Sequence, residues 1–243
     1  MKKIFYRSLI SFILIILLSL VYLSTVGIKT ERFNSKISDQ LKKVDQNLEI
    51  KLKDVSVHLN LFELNLNAKT IGAELIHRDK VIQLEKIKSI ISIKSLLSNK
   101  FFLTRMDIST KSLSIKNLIS FIYMKIKDPK IYIADKFIKG GYLITNIQIN
   151  FDDSGNIKND YSINGIFKEG KLGLFKKYKL DKIDFIFSLK KDKFNFKEID
   201  LNFNNKKIVI PEINIKKENK DYLVSGEINN KNKNLDKNEI NNI

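Results

Sequence analysis

The chain has 243 residues, a formal net charge of +17 and no cysteine. The missing cysteines exclude disulfide frameworks, thiolate metal sites and cysteine nucleophiles, and the length allows one large β domain or two small ones. Lysine clusters fall between apolar runs, at 190–193, 204–207 and 216–220. We interpret them as solvated turns, with contacts to anionic lipid headgroups as the alternative, and expect no nucleic-acid partner.

The N-terminal segment is the first predicted element. Residues 8–28 carry no charge, and Lys2, Lys3 and Arg7 precede them. About twenty apolar residues in a helix span roughly 30 Å, the hydrocarbon thickness of a bilayer. The cations predict a cytoplasmic N-terminus at 1–7, which places the rest of the chain across the membrane. A cleaved secretory signal is the alternative, although the segment lacks an Ala-x-Ala-like site.

A change of hydrophobic period follows the apolar segment. Apolar residues at spacings of three and four predict an amphipathic helix over 29–47. From residue 48 the period becomes two, which is typical of strands with one buried face. We divide this part into an N-terminal β region with short helices at 48–128, including a helix at 117–124, and a more regular meander at 129–230. Residues 231–243 have too few apolar residues to fold and are predicted to be a disordered tail.

Candidate catalytic and metal-binding residues are few. His58 lies in a predicted strand and His77 in a predicted polar turn, and neither belongs to a metal-binding or triad motif. The loop at 152–156 begins like a calcium loop but lacks the distal glutamate, so a hairpin turn is preferred. We therefore expect no catalytic residue, no metal and no cofactor.

The order of these features resembles the AsmA-like envelope protein family, the group that includes AsmA, TamB and YhdP. The resemblance rests on a basic N-terminus with a single anchor, the helix TERFNSKISDQLKKV, the strand LEIKLKDVSVHL and the leucine-bearing loop in SIKSLLSNKFFL. The later segment YLITNIQINFDDSGNIKNDYSINGIFKEGKLGL resembles the body strands of that family. Family members are longer, so we expect either a fragment or a short partner.

The resemblance implies a mainly β fold in which an elongated, curved antiparallel sheet forms an apolar groove for acyl chains. It implies no catalytic residue. The candidate lining residues are the apolar alternates of the second half, Leu143, Ile147, Ile149, Phe151, Ile163, Phe167, Ile183, Phe185, Phe187 and Leu189. A closed β-sandwich whose core these residues fill is the alternative interpretation.

The expected function is therefore not enzymatic. The resemblance implies an inner-membrane, single-pass protein of a Gram-negative bacterium, with a periplasmic body that helps move phospholipids toward the outer membrane. Its expected partners are membrane lipids and other envelope proteins. Two alternatives are an assembly factor for outer-membrane proteins that docks through an open sheet edge, and an LptC-like component of lipopolysaccharide export.

Overall fold

The protein is mainly β. A computed structural model describes residues 2–31, 34, 38, 46–78, 80–94, 103–125, 128–152, 154, 156–174, 178–204, 206–219 and 221–229. Strands account for 62% of the described residues and form one large antiparallel sheet that is not closed. The prediction of a mainly β fold with a large antiparallel sheet is confirmed. Because the sheet is open, the alternative of a closed β-sandwich is not supported.

Helix α1 (Lys2–Thr25) is the predicted apolar segment. It is long and apolar enough to cross a membrane, and almost all of its described side chains are exposed. The helix ends at Thr25, three residues before the predicted end of the span. Gly27 accounts for the early stop, because its φ of +74° is a left-handed conformation that ends helices. Its amide, like that of Val26, donates to the Tyr22 carbonyl.

Contacts divide the chain into two units, unit 1 (Met1–Leu113 with Thr145–Ile163) and unit 2 (Ser114–Ile144 with Asn164–Ile243). The first seven strands belong to unit 1. They are β1 (Ile28–Thr30), β2 (Leu48–Lys51), β3 (Val55–Asn60), β4 (Asn65–Ile71), β5 (Glu74–His77), β6 (Lys80–Ser92) and β7 (Leu103–Thr110). Gly72 and Ala73 separate β4 from β5, and both strands pair with the long β6.

The remaining elements begin with β8 (Leu113–Ser114) and two helices, α2 (Ile115–Lys125) and α3 (Pro129–Phe137). Lys116 of α2 forms an ion pair of 3.0 Å with Asp135 of α3, which joins the two helices. The later strands are β9 (Ile138–Asn150), β10 (Ser162–Leu174), β11 (Tyr178–Lys190), β12 (Lys193–Phe203), β13 (Lys206–Glu218) and β14 (Asp221–Asn229). Helix α2 confirms the predicted helix at 117–124.

The hydrogen-bonded strand order is β1-β3-β4-β6-β7-β9-β10-β11-β12-β13-β14. Strand β2 pairs with β5, and β8 pairs with β9, beside this path. From β9 onward each strand pairs with the next one in the chain, as a meander requires. Both ends of the path are edge strands within the part of the chain that the structure describes.

Some predictions fall outside the described residues. The amphipathic helix at 29–47 does so for most of its length, but its first two residues, Lys29 and Thr30, belong to β1 and are extended instead. The disordered tail at 231–243 also lies outside. The predicted boundary between residues 128 and 129 lies between α2 and α3, inside unit 2.

Candidate functional site: the apolar faces of the sheet

The sheet of unit 1 has one apolar face, and cross-strand pairing arranges its side chains in rows. Because side chains alternate along a strand, directly paired residues share a face. One row begins beside α1 and runs through Ile28, Val57, Ala68, Ser89, Met106 and Ile149. A parallel row includes Thr70, Ile87, Ile108 and Ile147. The predicted lining residues Ile147 and Ile149 therefore belong to this face.

Much of the unit 1 face is covered. Val55 and Ile91 are each 2% exposed and form a core cluster with Ala68. Ile28, at the start of the row, is 49% exposed. The face thus opens next to the apolar helix and is buried farther along the strands.

Two buried threonines lie within unit 1. The Thr110 hydroxyl accepts a hydrogen bond of 2.9 Å from the Thr145 amide, and the two hydroxyl oxygens are 3.2 Å apart. Both residues are nearly fully buried. These hydrogen bonds satisfy polar groups that would be costly to leave unpaired in a buried position.

The apolar face of unit 2 is built largely from aromatic and branched side chains on β11, β12 and β13. The pairings are apolar against apolar, as in Phe187 with Phe196 and Leu189 with Phe194. Further along, Phe196 pairs with Ile213 and Phe194 with Ile215. One continuous apolar surface therefore extends across three strands of this unit.

Phe185 is the centre of an aromatic cluster on this face. Its ring centroid lies 5.0 Å from that of Phe167, 5.6 Å from that of Phe196 and 6.1 Å from that of Phe187. Edge-on and tilted rings at these distances attract each other beyond their burial of apolar area. Phe167 and Phe187 are almost fully buried, whereas Phe185 and Phe196 are partly exposed.

Glycines on neighbouring strands make room for two of these rings. A methyl group at Gly165 would lie 2.6 Å from ring atom Cζ of Phe187, and one at Gly141 would lie 2.5 Å from Cζ of Phe167. Both distances are far below van der Waals contact. The rings of Phe167 and Phe187 therefore lie against the sheet, where they form the floor of the face.

Three non-glycine residues on consecutive strands of unit 2 have left-handed backbones. They are Glu169 on β10, Lys182 on β11 and Glu198 on β12, with φ of +54°, +50° and +52°. The register of β11 with β12 also shifts twice, around Asp184. Such irregularities bend a strand and increase its local twist. At Glu198 the bulge leaves two consecutive residues, Lys197 and Glu198, exposed, so that Phe196 and Ile199 can share the apolar face.

The opposite face of unit 2 carries ion pairs. Lys168 contacts Asp184 at 2.9 Å, Lys197 contacts Glu212 at 3.6 Å, and Lys207 contacts Asp200 at 2.5 Å. A hydrogen bond from the Asn195 side-chain amide, opposed by desolvation and helped by Lys197, holds the pKa of Glu212 below its ordinary value. Desolvation raises the pKa of Asp184, but Lys168 and the Glu169 amide together outweigh it and lower that pKa.

The ten predicted lining residues are divided between the units. Ile147, Ile149, Phe151 and Ile163 lie in unit 1, and Leu143, Phe167, Ile183, Phe185, Phe187 and Leu189 lie in unit 2. Within unit 2, Ile183 is buried with the two floor rings. Of the predicted lining residues in unit 2, Leu143, Phe185 and Leu189 are therefore the ones that remain partly exposed.

The sequence analysis left nine residues of the unit 2 face out of the lining set. These are Phe194, Phe196, Ile199, Leu201, Phe203, Ile208, Ile210, Ile213 and Ile215. Each of their short segments alternates, but the phase changes between Phe196 and Ile199 and between Ile210 and Ile213. Alternation alone would therefore have assigned only part of this set to the face.

The other candidate residues have structural positions. Oδ1 of Asp152 accepts hydrogen bonds from the backbone amides of both Ser154 and Asn156, which fixes the predicted turn between β9 and β10. His77 is the last residue of β5 and is 4% exposed, so it is buried at a strand end rather than in a polar turn. Among the described residues, no three His, Asp or Glu side chains form a group that could hold a metal ion.

Comparison of the chain with protein-family models, with curated proteins and with solved structures finds no match. The functional argument therefore depends on the residues and the geometry described above.

Proposed function

We propose that the protein is a non-enzymatic, inner-membrane-anchored periplasmic protein whose apolar sheet face helps transfer phospholipids between the inner and outer membranes. The observation that carries the proposal is the aromatic and branched face of unit 2. It belongs to an open sheet, and many of its side chains, including Phe185, remain partly exposed. A large exposed apolar surface is typical of a ligand or partner site.

Acyl chains match the chemistry of this face. Each methylene moved from water onto an apolar surface gains about 0.8 kcal/mol, so ten methylenes gain about 8 kcal/mol at full burial. The aromatic floor supplies contact area without directional hydrogen bonds, which favours many acyl chains about equally. The ion pairs on the other face keep that side hydrated, so a lipid would bind on one side of the sheet.

The N-terminal segment supports the proposed location. Helix α1 has the length and composition of a membrane span, and Lys2, Lys3 and Arg7 favour a cytoplasmic N-terminus by the positive-inside rule. Only Val26 and Gly27 separate α1 from β1, whose Ile28 pairs with Val57. The apolar row of unit 1 would thus begin at the membrane surface, where a lipid could enter.

A photo-crosslinking experiment on the full chain in its membrane tests the proposal. Benzoyl-phenylalanine replacing Ile215, on the apolar face of unit 2, should yield a phospholipid adduct detected by mass spectrometry. The same probe replacing Ile186, which lies on the opposite face of β11 and is 40% exposed, should give a several-fold lower yield of the phospholipid adduct. Equal adduct yields at the two positions would contradict lipid binding on this face.

Charge substitutions sharpen the experiment. With the probe at residue 215, Phe185→Asp should reduce the adduct about tenfold, because a carboxylate on the face excludes acyl chains. Leu189→Asp should do the same from a position outside the aromatic cluster, and Ile186→Asp is the matched control. Protease resistance of each variant reports whether unit 2 remains folded. An unchanged adduct in folded Leu189→Asp would contradict the proposal.

A further inference from the structure

Strand β14 (Asp221–Asn229) presents a free edge. It is last in the strand order and pairs only with β13 among the described residues. It has nine residues, whereas β1, at the other end of the order, has three. Proteins usually shield long edge strands with proline, lysine or a covering segment, because unpaired amides and carbonyls can accept another strand. The sequence of β14 contains neither proline nor lysine.

The side chains of β14 are suited to pairing. Tyr222, Leu223 and Val224 are consecutive and are 60%, 57% and 62% exposed. Val224 pairs with Ile215, so it extends the apolar face of unit 2 to the edge. An added strand with alternating apolar residues would continue that face and cover Tyr222 and Val224.

The charges of β14 are not compensated by β13. Glu227 is paired with Glu212, and Asp221 with Glu218. Glu212 is bound by Asn195 and Lys197, and Glu218 by Lys216. No ion pair joins Asp221 or Glu227 to a cation within the described part of the chain. Like charges directly opposite each other in a sheet are destabilising, so cations on the other side of β14 would be favoured.

We infer that the free edge of β14 binds an extended strand of a partner protein that alternates apolar residues with polar ones and places Lys or Arg opposite Asp221 and Glu227. Backbone hydrogen bonds would supply affinity, and the cations and apolar alternates would supply selectivity. The inference concerns protein docking and goes beyond the proposed lipid handling.

Two other occupants fit less well. Residues 230–243 of the same chain contain lysines, but their apolar residues, Leu235, Ile240 and Ile243, are five and three apart and cannot alternate in a strand. A second copy paired antiparallel about Val224 would place Asp221 opposite Glu227 twice, which adds like-charge pairs.

A disulfide-trapping experiment on the full chain in detergent tests the inference. Because the protein has no cysteine, Ser225→Cys provides a single reactive site on β14. The probe is the peptide Lys-Val-Cys-Val-Thr-Val-Lys, whose cysteine lies opposite residue 225 when antiparallel pairing places its two lysines opposite Glu227 and Asp221. It is compared with a peptide that has Glu at both ends, under equilibrating thiol buffer. Asn214→Cys is the matched control. Asn214 lies on β13, one strand inside the edge, and pairs with Ser225 of β14.

The lysine peptide should be trapped at residue 225 about tenfold more than the glutamate peptide. Charge reversal in D221K/E227K should invert this preference, and trapping at residue 214 should show neither effect. Amides of β14 should also gain protection from hydrogen exchange when the peptide is attached.

Three results would overturn the inference. Equal trapping of the two peptides would contradict the inferred selectivity for cations opposite Asp221 and Glu227. Trapping that appears only after deletion of residues 230–243 would identify that segment as the occupant. A dimer in sedimentation that the lysine peptide dissociates would identify a second copy as the occupant. Each result is independent of the lipid adduct, so docking and lipid handling can fail separately.

Discussion

The two units build an amphipathic sheet from different side chains. Unit 1 uses small and branched residues with buried threonines, and Val55 and Ile91 are 2% exposed. Unit 2 uses phenylalanines placed over glycines, and Phe185 and Phe196 remain partly exposed. The rings over the glycines, Phe167 and Phe187, are almost fully buried, whereas Phe185 and Phe196 leave apolar area exposed. The comparison shows why unit 2 is the better candidate for binding a ligand.

The contrast predicts that unit 2 depends on the glycines beneath its rings. Gly165→Ala should lower the free energy of unfolding of unit 2 by about 3 kcal/mol, because its methyl group would overlap Phe187 and the Ile144 carbonyl. Hydrogen exchange of β10 and β11 peptides in the full chain measures the effect, with unit 1 peptides as an internal reference.

Gly140→Ala is the matched control for that substitution. Its methyl group would lie 3.9 Å from Cδ of Lys171, an ordinary contact. Equal effects of the two substitutions would mean that the rings do not depend on the glycine at 165.

Unit 1 should instead be sensitive to its buried hydroxyl. Thr110→Val leaves the Thr145 amide without its acceptor and should cost about 1–2 kcal/mol. Thr104→Val, on the same strand but exposed, should have little effect. Hydrogen exchange of β7 and β9 peptides measures the loss of stability in the two variants. Equal destabilisation of unit 2 peptides by Thr110→Val would contradict the assignment of this effect to unit 1.

Acid should weaken unit 2 through its carboxylates, with a smaller effect. The lowered pKa values of Asp181, Asp184 and Glu212 mean that the unfolded chain takes up protons first as the pH falls. Their stabilisation is complete above the ordinary values of 3.8 and 4.5 and is lost as the pH falls below them toward the folded values.

Glu212→Gln tests this assignment. The variant should unfold with a weaker dependence on pH below about 4.5 than the wild type, as measured by denaturant midpoints at a series of pH values. Among the described residues of unit 1, one carboxylate has a lowered pKa, Asp152, which is held by its own turn. If the substitution left the pH dependence of stability unchanged, Glu212 would not contribute to the acid sensitivity.

The sequence determined the features that depend on local pattern. An uncharged run of sufficient length makes α1, and period-two alternation makes strands with one apolar face, as at Ile183, Phe185, Phe187 and Leu189. Polar clusters marked the turns. These follow from neighbouring residues, because helix length, side-chain alternation and turn chemistry are set within a few residues.

The tertiary structure alone decided which of these residues are exposed and which strands meet. Phe196 and Ile199 are three apart, which would place them on opposite faces of a regular strand, and only the left-handed Glu198 brings them to one face. Phe187 is buried because Gly165 of another strand lies beneath it. The burial of Phe187 depends on a residue distant in the chain, and the change of phase at Glu198 interrupts the alternation, so periodicity along one strand reveals neither feature.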